Sequence, residues 1–222
     1  MKITSLENFL QAKAKGSKMF RKVLTGGKKA KIGQLTQYKT FCKLTDNVEI
    51  KEIRAREIFS EWSKIGNSSR YNVFLFKQCN NILGINQRVS KFNREIEPTC
   101  TFCTAAKKLP APLETFLHIF FFCEIINPII TQICSDLLIN NNVNAKNYFS
   151  GVISENNVFN SAFSLIMNCL RYSIWQFKLE KRIPSSNMIR TELFYTIKNI
   201  RNSSAKSRAL IDGCELFRQY GE

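Results

Sequence analysis

Residues 100–123 carry three of the chain's eight cysteines and its sole histidine, in the order Cys100, Cys103, His118 and Cys123. This C-x2-C-x14-H-x4-C spacing constrains the fold more than any other feature. Two thiols three residues apart reach one ion from a tight turn, and a histidine and a cysteine near a later helix end supply the other two corners of a tetrahedron. Thiolate and imidazole select zinc over hard cations, and four protein ligands leave no position for water, so the spacing predicts a structural zinc site. The alternative is that these cysteines are core residues, since Cys is among the most buried residue types. Five residues along a regular α-helix turn two side chains about 140° apart, so the helix has to end or bend between His118 and Cys123.

With 222 residues, 44% of them hydrophobic and 18 of them Phe, the chain can bury a core of one or two domains. Its 33 Lys and Arg against 17 Asp and Glu give a net charge of +16, which points to a polyanionic partner. Residues 1–43 hold eleven basic and one acidic side chain, residues 44–170 twelve and eleven, and residues 171–222 ten and five. The excess therefore sits at the two ends. Met1-Lys2-Ile3-Thr4 opens no secretory signal, so an intracellular setting, nuclear or cytoplasmic, is expected, where thiols serve as ligands and core residues. The most apolar run, residues 116–134, is broken by His118, Glu124, Asn127, Thr131 and Gln132, and no membrane span is expected.

Helical periodicity dominates and no sustained two-residue alternation occurs, so the expected fold class is all-α, a small helical bundle stapled by the CCHC zinc site. Four segments follow: a basic segment at 1–48, a helical connector at 49–97, a zinc-binding region at 98–139 and a C-terminal helical region at 140–222. In the first, an amphipathic helix at 4–14 leads into Lys13, Lys15, Lys18, Arg21, Lys22, Lys28, Lys29 and Lys31, either a solvated arm or a set of phosphate contacts. The connector carries an apolar stripe from Ile50 to Ile65 and a second helix at 71–83 with Gly84 as its C-cap. Asn80, Asn81, Asn86 and Arg88 then serve as turn residues or as donors to a nucleic-acid backbone, with Asn81 and Arg88 the binding candidates.

Lys107 and Lys108 project from the loop between the ligand pairs, and Pro110 and Pro112 keep it non-helical until a helix starts near Leu113. Glu114 and Thr115 cap that helix or brace a ligand, and Phe120, Phe121 and Phe122 wedge it into the core. A short helix follows at 129–139. The longest helix, 158–179, turns Phe159, Ala162, Phe163, Ile166, Cys169, Leu170, Ile174 and Phe177 inward. Lys178, Lys181 and Arg182 at its end complement the helix dipole or meet phosphate. Pro184 stops it, Ser185 and Ser186 restart a helix through Ile200, and Ser203 or Ser204 caps a last one through Phe217.

Catalysis is not expected. A two-metal site needs carboxylates holding ions about 4 Å apart, and the three aspartates, Asp46, Asp136 and Asp212, are scattered. With His118 assigned to zinc, no histidine remains to activate a nucleophile, and no small-molecule substrate is expected.

Cys100-x2-Cys103, Glu114-Thr115-x2-His118 and Phe120-Phe121-Phe122-Cys123 together resemble the zinc-binding region at the C-terminal end of non-LTR (LINE-type) retrotransposon reverse transcriptases. So do Phe74-Leu75-Phe76-Lys77 and Asn80-Asn81-Ile82-Leu83-Gly84-Ile85-Asn86-x-Arg88 before the site, and Arg171-Tyr172-x-Ile174-Trp175 and Leu179-Glu180-Lys181-Arg182-Ile183-Pro184 after it. The likeness covers most of residues 60–201. It implies a non-catalytic module that grips RNA or DNA, taken from a polypeptide whose polymerase carboxylates lie elsewhere, and hence a fragment or truncated copy. The alternative is a zinc-stabilised scaffold for protein–protein interaction.

Overall fold

The computed structural model describes residues 69–79, 81–139, 143–150 and 157–220. Within them the α-helices are α1 (Ser69–Cys79), α2 (Asn86–Val89), α3 (Thr101–Ala105), α4 (Asn127–Asp136), α5 (Ala145–Ser150), α6 (Asn157–Leu179), α7 (Ser186–Arg201) and α8 (Ala205–Asp212). A π-helical turn, His118–Phe122, lies between α3 and α4, and a 3-10 turn, Glu215–Tyr220, ends the described chain. No strand occurs among the described residues; one antiparallel bridge joins Thr99 to Leu113. The expected all-α class agrees with this. The helices expected at 4–14 and 50–65, and the basic residues Lys13 to Lys31, lie outside the described residues.

α6 is the axis of the structure. Each residue from Ala162 to Arg171 is buried, not only the inward stripe that periodicity selects, because α1, α5, α7 and α8 pack around it. A helix apolar on most faces must be enclosed, and Phe163, Ile166, Leu170 and Ile174 are. α5, which periodicity did not reveal, contributes the buried Tyr148 and Phe149. Arg171 is inside as well: its guanidinium donates to Gln78 Oε1 on α1 at 3.2 Å, to the Tyr148 carbonyl on α5 and to Asn168 on its own helix. It also lies 5.1 Å from the Tyr148 ring centroid, so one charged group ties three helices together.

The ends of α1, α3, α4 and α6 share one device. Among the described residues, Asn81, Lys107, Leu138 and Lys181 are the non-glycine residues with positive φ, between 50° and 56°. Each follows a helix by two residues and sits in paired reverse bonds, as where Lys181 N–H meets the Lys178 carbonyl and Arg182 N–H the Phe177 carbonyl, both at 3.0 Å. This is the Schellman arrangement, which satisfies the last carbonyls but favours glycine at the left-handed position. It corrects the expected C-cap: α1 ends at Cys79 with Asn81 in the left-handed turn, before Gly84. Lys181→Gly is expected to raise stability by about 1 kcal/mol, because a left-handed L-residue costs about that much and the Lys181 side chain is exposed. A urea midpoint that stays put or falls would contradict this.

Ser185 caps α7 by accepting from Met188 N–H at 3.3 Å, and Ser204 caps α8 by accepting from Ser207 N–H at 3.0 Å. The last helix does not run through Phe217. At Gly213 a Cβ would stand 2.8 Å from the Ala209 carbonyl, and the chain breaks there before its 3-10 turn. Cys214 and Phe217 still reach the core. No helix among the described residues is long and apolar enough to cross a membrane.

Candidate metal centre

Cys100 stands in extended conformation immediately before α3, and Cys103 lies within that short helix. An antiparallel clasp holds this knuckle. Cys100 N–H donates to the Pro112 carbonyl and Glu114 N–H to the Pro98 carbonyl, both at 2.8 Å. The clasp keeps residues 113–115 out of helical geometry, so the helix expected from Leu113 begins instead at Phe116. Thr115 caps it, its hydroxyl accepting from His118 N–H at 2.9 Å.

The angular conflict between His118 and Cys123 is resolved by a change of helix type. Cys123 N–H bonds to the His118 carbonyl at 2.7 Å, an i to i+5 closure that brings position 123 back over position 118. Cys123 then turns extended and leaves the helix. The Phe121 carbonyl accepts from Asn127 Nδ2 at 2.9 Å, and the Cys123 carbonyl receives Asn127 N–H at 2.7 Å to open α4. The three phenylalanines do not all wedge into the core: Phe120 is fully buried, Phe121 is half-buried and Phe122 is exposed. Consecutive residues on one helical turn cannot share a face.

Cys100, Cys103 and Cys123 are buried, His118 is partly so, and their four ligand atoms lie within 4.8 Å of one another. Cys123 Sγ is 3.8 Å from Cys100 Sγ and 3.6 Å from Cys103 Sγ, and Cys103 Sγ is 3.6 Å from His118 Nε2. A disulfide needs about 2.05 Å, so these are separate thiols converging on one point. The group is close enough to hold a metal ion. Its hydrogen bond from Cys100 brings the Cys123 thiol down to about 4, while the same bond and burial push Cys100 up. Burial, with the neighbouring Cys123 sulfur, pushes Cys103 up to about 11. Cys134 and Cys169 are core residues, each pushed up by burial to about 12.

Glu114 braces the knuckle from a fully buried position. Its Oε2 accepts from Thr101 N–H at 2.8 Å and from the Thr101 hydroxyl at 2.6 Å, and its Oε1 accepts from Asn86 N–H at 2.7 Å. Asn86 in turn donates through Nδ2 to the Thr99 carbonyl at 2.8 Å, so both neighbours of Cys100 are held by one network. Opposite the carboxylate stands Lys178 Nζ at 3.2 Å, also donating to the Gly84 carbonyl at 2.7 Å and lying 4.9 Å from the Trp175 ring centroid. The Cys3His cluster is thereby fastened to the end of α6.

This placement changes the standing of several basic candidates. Lys178, with a side chain 7% exposed and engaged by Glu114, is out of reach of a phosphate. Lys108 meets Glu124, and Arg182 meets Glu180 at 3.1 Å while covering the Phe177 ring. Asn81, Lys107 and Lys181 hold the left-handed turns described above, and the side chains of both lysines are exposed. Arg88, on α2, is half-buried. Thr101 and Asn86 had no local signal as bracing residues, because their partners lie at distant points of the chain.

Among the described residues the arrangement is an all-α fold that carries a largely buried Cys3His cluster. No family model, curated protein or solved structure matches the chain.

Proposed function

We propose that the chain is a zinc-stapled, non-catalytic nucleic-acid-binding module of the kind found at the C-terminal end of non-LTR retrotransposon reverse transcriptases. The observation that carries this reading is the Cys100, Cys103, His118 and Cys123 tetrad. Around a tetrahedral zinc, with bonds of about 2.3 Å to sulfur and about 2.0–2.1 Å to nitrogen, two sulfurs stand about 3.8 Å apart and a sulfur and a nitrogen about 3.6 Å apart. The separations of 3.8, 3.6 and 3.6 Å fit those values, and the donor set is one zinc favours. With four protein ligands the ion staples the fold and leaves no open position for chemistry.

Net charge supplies the second support, since +16 favours a polyanion. Of the aspartates among the described residues, Asp136 pairs with Arg190 and Asp212 with Arg201 at 2.6 Å. In this reading the ion orders the short helices and surface cations meet RNA or DNA phosphates. Fluorescence anisotropy with a labelled structured RNA over a salt series tests it. Binding should be sub-micromolar at low salt, fall steeply as salt rises and weaken after chelation. Absence of binding at low salt would overturn the nucleic-acid part and favour the protein-scaffold alternative.

A further inference from the structure

Most phenylalanines of known burial lie inside: Phe74, Phe102, Phe116, Phe120, Phe149 and Phe163 are all buried. Phe92 is 86% exposed. It stands at the tip of a tight turn that begins with α2, and it is not on a loose arm. Phe92 N–H and Asn93 N–H both bond to the Val89 carbonyl at 2.9 Å, Ser90 N–H bonds to the Asn86 carbonyl at 2.9 Å, and Asn93 Oδ1 accepts from Glu95 N–H at 3.0 Å. A ring presented to water on a fixed backbone loses little freedom when it is covered.

Cations flank it along the chain. Arg88, Lys91 and Phe92 follow at i, i+3 and i+4, the spacing that shares one side of a helical turn, and Arg94 lies two residues beyond Phe92. None of these three cations joins an ion pair among the described residues, whereas Lys108, Lys178, Arg182, Arg190 and Arg201 each meet a carboxylate. Two acids follow, and Glu97 accepts from Thr99 at 3.5 Å, so the unpaired positive stretch lies on the Arg88 side of Glu95. The root of the turn is Asn86, which Glu114, Thr99 and Thr101 hold against the metal knuckle.

We propose that residues 88–94 form a single-stranded nucleic-acid contact in which Phe92 stacks on a base and Arg88, Lys91 and Arg94 meet the adjacent phosphates. Phosphate contacts alone would suit a duplex, but an aromatic face needs an unstacked base, which a single strand offers. The inference rests on the nucleic-acid reading above and deepens it by naming the strand type and the contact. Three cations without an ion pair among the described residues lie within six positions of this ring in sequence, and charge complementarity selects the polyanion.

The test is anisotropy of the full chain, zinc-loaded, with labelled oligouridylate, oligothymidylate and a mixed-sequence duplex. Phe92→Ala should weaken single-strand binding about 5- to 160-fold, the range for losing one stacked base, with an unchanged salt slope. Its melting should match the parent, because an exposed ring supports little packing, and Phe92→Trp should retain affinity. Lys91→Ala and Arg94→Ala should each lower the salt slope by about one phosphate. Wild-type affinity in Phe92→Ala, or equal losses for duplex and single strand, would overturn the stacking contact and leave the general reading standing. A parent protein that binds none of the three probes at low salt would overturn both. The two single strands distinguish RNA from DNA as the source of the base.

Discussion

On the zinc reading proposed above, Cys103→Ser protein is expected to lose most of its zinc and to melt about 8–16 °C below the parent. A ligand held at a thousand times its dissociation constant stabilises by about 4 kcal/mol, and in a chain of this size each kcal/mol moves the midpoint by about 2–4 °C. Structural zinc can contribute more, because its site forms only on folding. The position makes the loss severe, since the Cys103 sulfur stands 3.6 Å from both Cys123 Sγ and His118 Nε2. Removing it leaves three ligands and a gap facing the buried side of α3. Chelation of the parent should reproduce the lowered midpoint, and chelator added to the variant should do nothing further, because both act through the same ion. Cys214→Ala, which changes a buried thiol outside the tetrad, should keep its zinc. Full zinc content with unchanged melting in Cys103→Ser would sink the site assignment.

The tetrad was legible because its four residues are rare and closely spaced, and the long helix because its apolar pattern repeats over 23 residues. What was hidden had non-local causes. Periodicity marks one inward stripe on α6, but four packed helices enclose it, and this is how Arg171 and Lys178 come to be interior residues. From the sequence, Lys178 differs little from Lys181 three positions on; only the folded chain places one against Glu114 and the other at a left-handed helix end. The need for a distortion between His118 and Cys123 was readable from the 100° step of an α-helix. Its form was not, because an i to i+5 turn has no residue signature of its own, and the Phe121 carbonyl finds its partner only in the Asn127 side chain six residues on. The left-handed Lys107, Leu138 and Lys181 were equally silent, since glycine or asparagine is the usual sign of that turn.

Glu114→Ala should be the most damaging substitution outside the tetrad, costing about 3–5 kcal/mol, because it removes one partner of a buried ion pair and leaves the other charge in place. Glu114 is fully buried, accepts three hydrogen bonds from Asn86 and Thr101, and faces a Lys178 side chain only 7% exposed. Surface pairs such as Arg182 with Glu180 have no comparable burden, since water solvates either group when the other is removed. The loss should also reach the metal, because Glu114 fixes Thr101 and, through Asn86, Thr99, the residues on either side of Cys100. Outer contacts of this kind are worth about 10- to 100-fold in metal affinity. Glu114→Gln keeps an acceptor oxygen but not the charge, and Lys178→Met removes the cation while keeping an apolar stem against Trp175. Paired in one protein, these two changes should recover much of the stability that Glu114→Gln loses alone, since a buried pair replaced on both sides leaves no uncompensated charge. Zinc affinity should recover less, because the glutamine amide cannot accept from both Thr101 groups and Asn86 as the carboxylate does. Urea midpoints and competitive zinc titration of the single and double variants separate the two effects. Additive losses, with no recovery in the double variant, would show that the ion pair is not what holds the knuckle to α6.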